Sequence, residues 1–553
     1  MTYYLLEYKD FFDDEVRDFK EYLAKIGKKD IVKFCTLFVS TTIWGKETVD
    51  PKYQIEKWFS DKNEKFSNEI ISKLKLLKEK NIKLIVVFNI LKIFEFILLN
   101  NPEETTISEN EFEIQLFKSV LALNQDFNLR DKTIGDSTKD LDAKAKLPCL
   151  LLTAAFCDYD LNNFKVNELE ISQFIKASLF FKFLETHNAT SKRILEEFYK
   201  QEQIKDWKAY LKKYMPIFHS ILNSDLSKPI DLVVPEDKNF EANCKFLENL
   251  IVNNEYTIDD FDFLTCRSKP FFKLDNGKYR IIHVLFVIEK LYNGLYFTMS
   301  KINDDIHDGF LNFRSTFCDE FSEKTLVYNV LGRSFPKSFI KLSGQDILGL
   351  DATIDAEPDY YVRKKNKVYL FESKDVLIEK KIKQSHDFAK IENGLKTKFY
   401  HYFKEGARKD VGVMQLINNI KRILGPNCPW DNHMQAKLSI YPILLVHYNI
   451  YNTPGVDFLV KTWFNAELKK LENEGIDISL VNDVVIVDIN TFILNHERFQ
   501  NKSLCLESLI NSYNKLNDRF LISFSTFVSD YVIKKRYFMI PKLFNELGLN
   551  LFN

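Results

Sequence analysis

Glu357-Pro358-Asp359-Tyr360-Tyr361-Val362-Arg363-Lys364-Lys365-Asn366-Lys367-Val368-Tyr369-Leu370-Phe371-Glu372-Ser373-Lys374-Asp375-Val376 holds two β-prone runs on either side of a polar Lys/Asn turn. If the reversal centres on Lys365 and Asn366, Lys364 faces Lys367, and counting outward sets Asp359 opposite Glu372. Their Cβ atoms would then lie about 5 Å apart. Strand side chains alternate, so Lys374 shares the face of Glu372. Two carboxylates and one ammonium therefore converge at one sheet edge, as a divalent-metal site with an adjacent base would require.

The residue types suit that chemistry. A hard cation such as Mg²⁺ takes carboxylate oxygens at about 2.0–2.1 Å and retains waters, one of which can attack a phosphodiester while the metal neutralises developing charge. A lysine beside it can orient that water, or give up its proton because a nearby cation lowers an ammonium pKa. Acid-x-Lys triplets also occur at Asp142-Ala143-Lys144 and Asp206-Trp207-Lys208, but neither lies in strand-like sequence. Only the complete arrangement has weight.

Pro358-Asp359 followed by Glu372-Ser373-Lys374 resembles the signature of the PD-(D/E)XK nuclease superfamily, in its RecB-like or restriction-endonuclease-like branches. The resemblance spans roughly residues 310–450. It implies a third acid on the preceding helix, where Glu323 is followed by Leu326, Val327, Val330 and Leu331 at helical spacing, with Glu320 as the runner-up. In the RecB-like branch it also implies a glutamine on the helix after the lysine strand. There Val413, Leu416, Ile417 and Ile420 form an apolar stripe and leave Gln415 on the polar side. Asp359, Glu372 and Glu323 would then bind Mg²⁺ or Mn²⁺, Lys374 would place or activate the water, and Gln415 would orient a phosphate or water. The implied activity is that of a metal-dependent endonuclease, with DNA preferred over RNA. A catalytically inactive scaffold of the same fold is the alternative.

Between Glu379 and Lys409 cations outnumber acids, and Phe388, Phe399, Tyr400, Tyr402 and Phe403 are interleaved with them. That combination can grip phosphates and stack on unpaired bases. It would compensate for a chain that is neutral overall, with 77 Lys+Arg against 78 Asp+Glu. His386, His401, His433 and His447 form neither H-x-H nor HExxH and read as structural or surface groups. No G-x-x-x-x-G-K-[ST] loop is present, so any ATP-driven motor would be a separate chain.

A length of 553 residues with 45% hydrophobic content suits several domains at roughly 150 residues each. From Tyr4 to about Leu222 apolar residues recur every three or four positions, with helix starts at Asp50-Pro51, at Thr105 to Ser108, and near Asn162. The Pro-bearing stretch from Leu226 to Asp237 is the expected linker. After it, Asn276-Gly277 marks a hairpin between Phe271 and Ile282, and a helical run follows from Val284 to about Ser300. Strand signals recur at 439–448 and 481–492 and alternate with helical stretches.

The expected architecture is multi-domain. An all-α N-terminal half is joined to an α/β restriction-endonuclease-like C-terminal domain with a central mixed sheet. The expected divisions are a helical region over 1–235, a hairpin-and-helix connection over 236–310, the nuclease-like domain over 311–495 and a helical extension over 496–553. The helical half would recognise a protein partner, a trigger or the substrate, an organisation that resembles restriction or antiphage defence effectors. Eight cysteines without CxxC or clustered Cys/His spacing read as buried thiols of a reducing, cytoplasmic compartment. The acidic amino terminus does not read as a secretory signal. Lys83, Lys92 and Glu95 interrupt the apolar run from Ile82 to Leu99, which reads as a buried helix rather than a membrane span.

Overall fold

A computed structural model of the chain describes residues 4–44, 50–77, 81–100, 102–224, 228–252, 262–354, 356–425, 428–432, 437–535 and 540–548. The chain forms two compact units: one of residues 1–133, 161–167 and 208–295, the other of 134–160, 168–207 and 296–553.

The first unit is mainly helical. Its apolar run becomes the helix Val87–Asn100, in which Ile90, Leu91, Ile93, Phe94 and Ile97 are fully buried. The helix Pro51–Trp58 starts as its sequence indicates, with Asp50 accepting from the Lys52 amide at 3.0 Å. Strand β1 (Tyr4–Leu5) pairs in parallel with β2 (Ile82–Lys83). The expected linker is instead partly strand: β3 (Asp231–Val233) pairs with β5 (Lys278–Ile281), which also pairs with β4 (Phe271–Asp275). An Arg280–Asp231 ion pair at 2.6 Å holds that strand in place, whereas residues 226 and 227 of the expected linker lie outside the described residues. Gly277, at φ 68°, makes the tight reversal of the β4–β5 hairpin that Asn276-Gly277 signalled.

The second unit is built on a five-stranded mixed sheet in the order β12-β11-β8-β7-β6. Its strands are β6 (Ile340–Ser343), β7 (Tyr360–Lys364), β8 (Lys367–Lys374), β11 (Ser439–Val446) and β12 (Val485–Asp488). β7 is antiparallel to β6 and β8, while β11 is parallel to β8 and β12. One sheet face packs Val368 and Leu370 against Ile391, Leu395, Leu416, Ile417 and Ile420. On the other face Phe371 meets Phe335 and Phe492. Helices therefore cover both faces, and the central strand is apolar on both sides.

The architecture is mixed α/β and does not separate at residue 235 into an all-helical half and an α/β half. Cys149, Leu152 and Phe156 belong to the same apolar cluster as the sheet, and Phe180 packs on Phe317 and Phe321. These early helices complete the core of the second unit. The strand signal expected over 481–492 is also shortened. Asp488 caps the helix Ile489–Gln500 by accepting from the Asn490 amide at 2.8 Å, which ends the strand there. The helix expected near Asn162 begins at Val166 instead, after a short turn of helix over Tyr159–Asn162.

Candidate active site

The β7–β8 hairpin has the register expected of it. Lys364 pairs with Lys367 and Tyr360 with Phe371, around a reversal in which Lys365 adopts φ 55°. One more step sets Asp359 level with Glu372. Asp359 Oδ2 accepts from the Ser373 amide at 2.6 Å, extending the hairpin through a side chain where the backbone ladder stops. Lys374 Nζ donates to Glu372 Oε1 at 2.5 Å. Glu372 is fully buried, Lys374 is mostly buried, and Asp359 is half-buried.

The third acid comes from a helical segment over 313–334 whose middle, Phe317–Val327, is wound as a π-helix. Such wide turns are rare and concentrate at functional sites. The Tyr328 hydroxyl donates to Glu323 Oε1 at 2.7 Å. Burial first, then the charge of Asp359, pushes the Glu323 carboxyl up to about 7, while Lys374 opposes the shift. Glu320 instead pairs with Lys324 at 2.6 Å, so Glu323 is the acid directed to the cluster.

Burial, the Asp359 charge and the Glu323 charge likewise raise the Glu372 carboxyl well above its ordinary range. Burial also raises Asp359, partly offset by Lys374. Burial alone would lower the Lys374 ammonium, but Glu372, Asp359 and Glu323 outweigh it and hold the lysine protonated. Three acids thus share one cation. Glu372 Oε2 is buried and has no hydrogen-bond partner among the described residues.

Among the described residues no three acidic, histidine or cysteine side chains are spaced to hold a metal ion together, and Lys374 occupies the oxygen of Glu372 nearest to it. The donor set nevertheless suits a hard cation in kind. It offers carboxylate oxygens in excess of positive charge, including one oxygen that nothing satisfies.

A second network supports the hairpin and was not apparent in the sequence. Arg314 Nη2 donates to Asp375 Oδ1 at 2.7 Å, Cys318 Sγ lies 3.6 Å from the Asp375 carbonyl oxygen, and the Ser322 hydroxyl donates to Asp375 Oδ2 at 2.8 Å. Residues 314, 318 and 322 fall at four-residue intervals, so one helix edge is fastened just beyond Lys374 and Glu323 is placed by its neighbour. His447 follows Val446, the register partner of Lys374. Its Nε2 lies 2.9 Å from Ser373 Oγ and its Nδ1 3.2 Å from Ser322 Oγ. Burial pushes the His447 imidazole down to about 4 despite the nearby Asp375. Burial would raise Asp375, but His447, Arg314 and Ser322 more than offset it. Arg314 is the permanently charged partner of Asp375. The helical spacing of Arg314 and Ser322 was visible, but their partner lies 53 or more residues away in sequence.

Gln415 is not brought into this arrangement by any hydrogen bond. Its Oε1 accepts from the Gly412 amide at 2.8 Å and caps the helix Val413–Leu424. The basic, aromatic segment is also smaller than its sequence indicates. Phe388 and Phe399 are core residues, Lys383 is buried against Asp160 at 3.0 Å, and Tyr400 stacks on Trp463 at 5.7 Å. Tyr402 and Phe403 remain exposed on a separate hairpin. Of the histidines, His433 lies outside the described residues.

Comparison of the chain with protein-family models, with curated proteins and with solved structures gave no match. Among the described residues no helix is long and apolar enough to cross a membrane.

Proposed function

We propose that the protein is a Mg²⁺- or Mn²⁺-dependent nuclease that cuts phosphodiester bonds, with DNA preferred over RNA. The supporting observation is the electrostatic coupling of half-buried Asp359 and Glu323 with fully buried Glu372 and mostly buried Lys374, and among the described residues an unpartnered carboxylate oxygen on Glu372. Asp359, Glu372 and Glu323 would hold the cation. When bound, the metal supplies neutralisation of the charge that develops on the phosphoryl group and lowers the pKa of water.

The protein's own groups supply the rest. The Ser373 amide fixes the Asp359 carboxylate, and the Tyr328 hydroxyl fixes Glu323. Lys374, an ammonium in the metal-free cluster, would donate hydrogen bonds to the attacking water or to a non-bridging phosphate oxygen and so place or activate the water. Neutral His447 fixes the Ser373 hydroxyl between the two reactive side chains of β8. Helices on both sheet faces keep the cluster in a low-dielectric setting, where each of these interactions is strengthened. The helical first unit would recognise a partner, a trigger or the substrate, as in a defence effector.

The test is incubation of the full chain with single- and double-stranded DNA and RNA in Mg²⁺, Mn²⁺ or EDTA. Metal-dependent cutting that disappears in both Glu372→Gln and Lys374→Ala supports the reading, and undiminished cutting by both variants removes it. The second reading is an inactive scaffold, favoured by the direct Lys374–Glu372 bond and the lack of a ready three-ligand arrangement among the described residues. It expects binding without cutting, indifferent to metal and to Asp359.

A further inference from the structure

Between the helices Phe388–Phe399 and Val413–Leu424 the chain leaves the core as a separate two-stranded ribbon, β9 (His401–Lys404) and β10 (Ala407–Asp410). Its turn, Glu405-Gly406, has both residues at positive φ, 53° and 78°, which matches the strand twist without splaying the strands. Residues 402–409 are exposed throughout. A chain this rich in buried aromatics thus places two of them on a ribbon that nothing covers within its sheet.

Alternation divides the ribbon into two unlike faces. His401, Phe403, Arg408 and Asp410 share one face, where the rings of His401 and Phe403 meet edge-on at 5.8 Å and Arg408 pairs with Asp410 at 2.8 Å. That face satisfies itself. The other carries Tyr402 directly across from Lys409, with Lys404 across from Ala407. Neither Lys404 nor Lys409 forms an ion pair among the described residues, and Tyr402 has no ring partner there. An exposed phenol with one ammonium directly across from it and another two residues along its own strand, about 7 Å away, matches a polymer that carries anionic links beside flat, unstacked rings.

The ribbon also leaves from the sheet end that carries the acids. Phe399, at its base, packs on Tyr451 at 4.7 Å, and the Tyr451 hydroxyl donates at 2.8 Å to the carbonyl of Val376, two residues beyond Lys374. Gly412 closes the base on the other side. A Cβ there would fall 2.6 Å from the Phe399 carbonyl oxygen, so the exit angle of the ribbon is set by packed backbone.

We propose that the Tyr402–Lys404–Lys409 face of this ribbon binds single-stranded nucleic acid and leads it toward the acid cluster. The proposal rests on the nuclease reading for its purpose, although its binding step can be measured alone. Tyr402 stacks on one base, while Lys404 and Lys409 neutralise the flanking phosphates. A duplex, whose bases are already stacked, gains only the phosphate contacts.

The experiment measures binding of the full chain in EDTA to fluorescein-labelled single-stranded DNA, single-stranded RNA and duplex DNA by anisotropy. Single strands bind more tightly than duplex. Tyr402→Ala weakens single-strand binding about tenfold while Tyr402→Phe preserves it. Lys404→Ala with Lys409→Ala reduces the slope of log affinity against log salt by roughly 1.4, for two phosphate contacts. Because the three positions are solvent-exposed, these variants fold. Unchanged affinity in the Tyr402→Ala and double-lysine variants overturns the proposal. So does tighter duplex binding, no binding at all, or binding only to phosphatidylserine vesicles run in parallel. Ribbon-sensitive binding without metal-dependent cutting would defeat the nuclease reading and leave the ribbon standing. Cutting and binding indifferent to all ribbon variants would do the reverse.

Discussion

The two hairpins of the second unit, β7–β8 and β9–β10, are made of similar residues and are used in opposite ways. Each carries aromatics and lysines beside a two-residue reversal, with positive φ at Lys365 in the first and at Glu405 and Gly406 in the second. The first is covered by helices on both faces, so its polar groups at 372 and 374 must find partners inside the protein. The second is exposed, and its cations are left to solvent. Burial therefore converts a common sequence pattern into a charged cluster in one place and leaves a simple surface in the other. Substitutions in the two hairpins should separate function from stability in different ways.

The largest effect belongs to Glu372→Gln. The change keeps the shape of the side chain and removes a carboxylate whose burial and neighbours disfavour its charge. Metal-dependent cutting should fall by on the order of 10²–10³-fold or more. The melting temperature should hold or rise, because an unfavourable buried charge has gone. Steady-state cleavage together with thermal unfolding checks both parts, and a large loss of stability would mean that Glu372 is mainly structural.

Lys374→Met is the complementary case. It removes the ammonium that offsets three acids and should destabilise by about 3–5 kcal/mol at pH 8, as when one member of a buried pair is deleted. At pH 5.5 the loss should be smaller, since the acids can take up protons instead. Denaturant unfolding at the two pH values decides it. A pH-independent loss would place the effect in packing.

The hairpin register was legible because β7 and β8 flank a short polar reversal, and counting from Lys365 and Asn366 needs no knowledge of the rest of the fold. Glu323 was legible as a helical residue before an apolar stripe, while the π-winding that presents it was not. The capping role of Gln415 was not legible, because position and polarity cannot distinguish a side chain that faces a site from one that caps its own helix. The boundary at 235 was misplaced for a different reason. The stretches 134–160 and 168–207 belong to the second unit, which periodicity does not reveal because it marks an apolar face without naming the core that covers it. The Arg314–Asp375–His447 network joins residues distant in sequence that share no local pattern.

That network permits a smaller, sharper test. His447→Ala removes the group that bridges Ser373 and Ser322, one of the links between β8 and the helix that carries Glu323. Cutting should fall about 10–100-fold, as for other groups that orient metal ligands. Binding of single-stranded DNA in EDTA should be unchanged. Equal losses in both would show that His447 merely supports the fold.

The pH dependence of the metal-free protein follows from Glu323. Its folded-state carboxyl is raised to about 7 from an ordinary 4.5, so the native state binds more protons than the unfolded chain between those values. This contribution to stability is complete below about 4.5 and is lost as pH rises toward 7. Glu372, raised in the same sense, adds to the slope. Unfolding in EDTA should therefore show stability falling across this window, and Glu323→Gln should flatten part of the fall. A slope unchanged by the variant would exclude Glu323 as its source.

The smallest effect is expected in the exposed hairpin. Lys404→Ala and Lys409→Ala remove side chains with no ion-pair partner among the described residues, on a ribbon whose backbone pairing does not depend on them. Each should change unfolding free energy by less than about 0.5 kcal/mol. The single charge of Lys374 beside buried Glu372 has a far larger expected effect, and the difference follows from burial. If the lysine variants instead lower stability by as much as Lys374→Met, the ribbon is packed against something that satisfies it, and the contrast between a buried working hairpin and a free one fails.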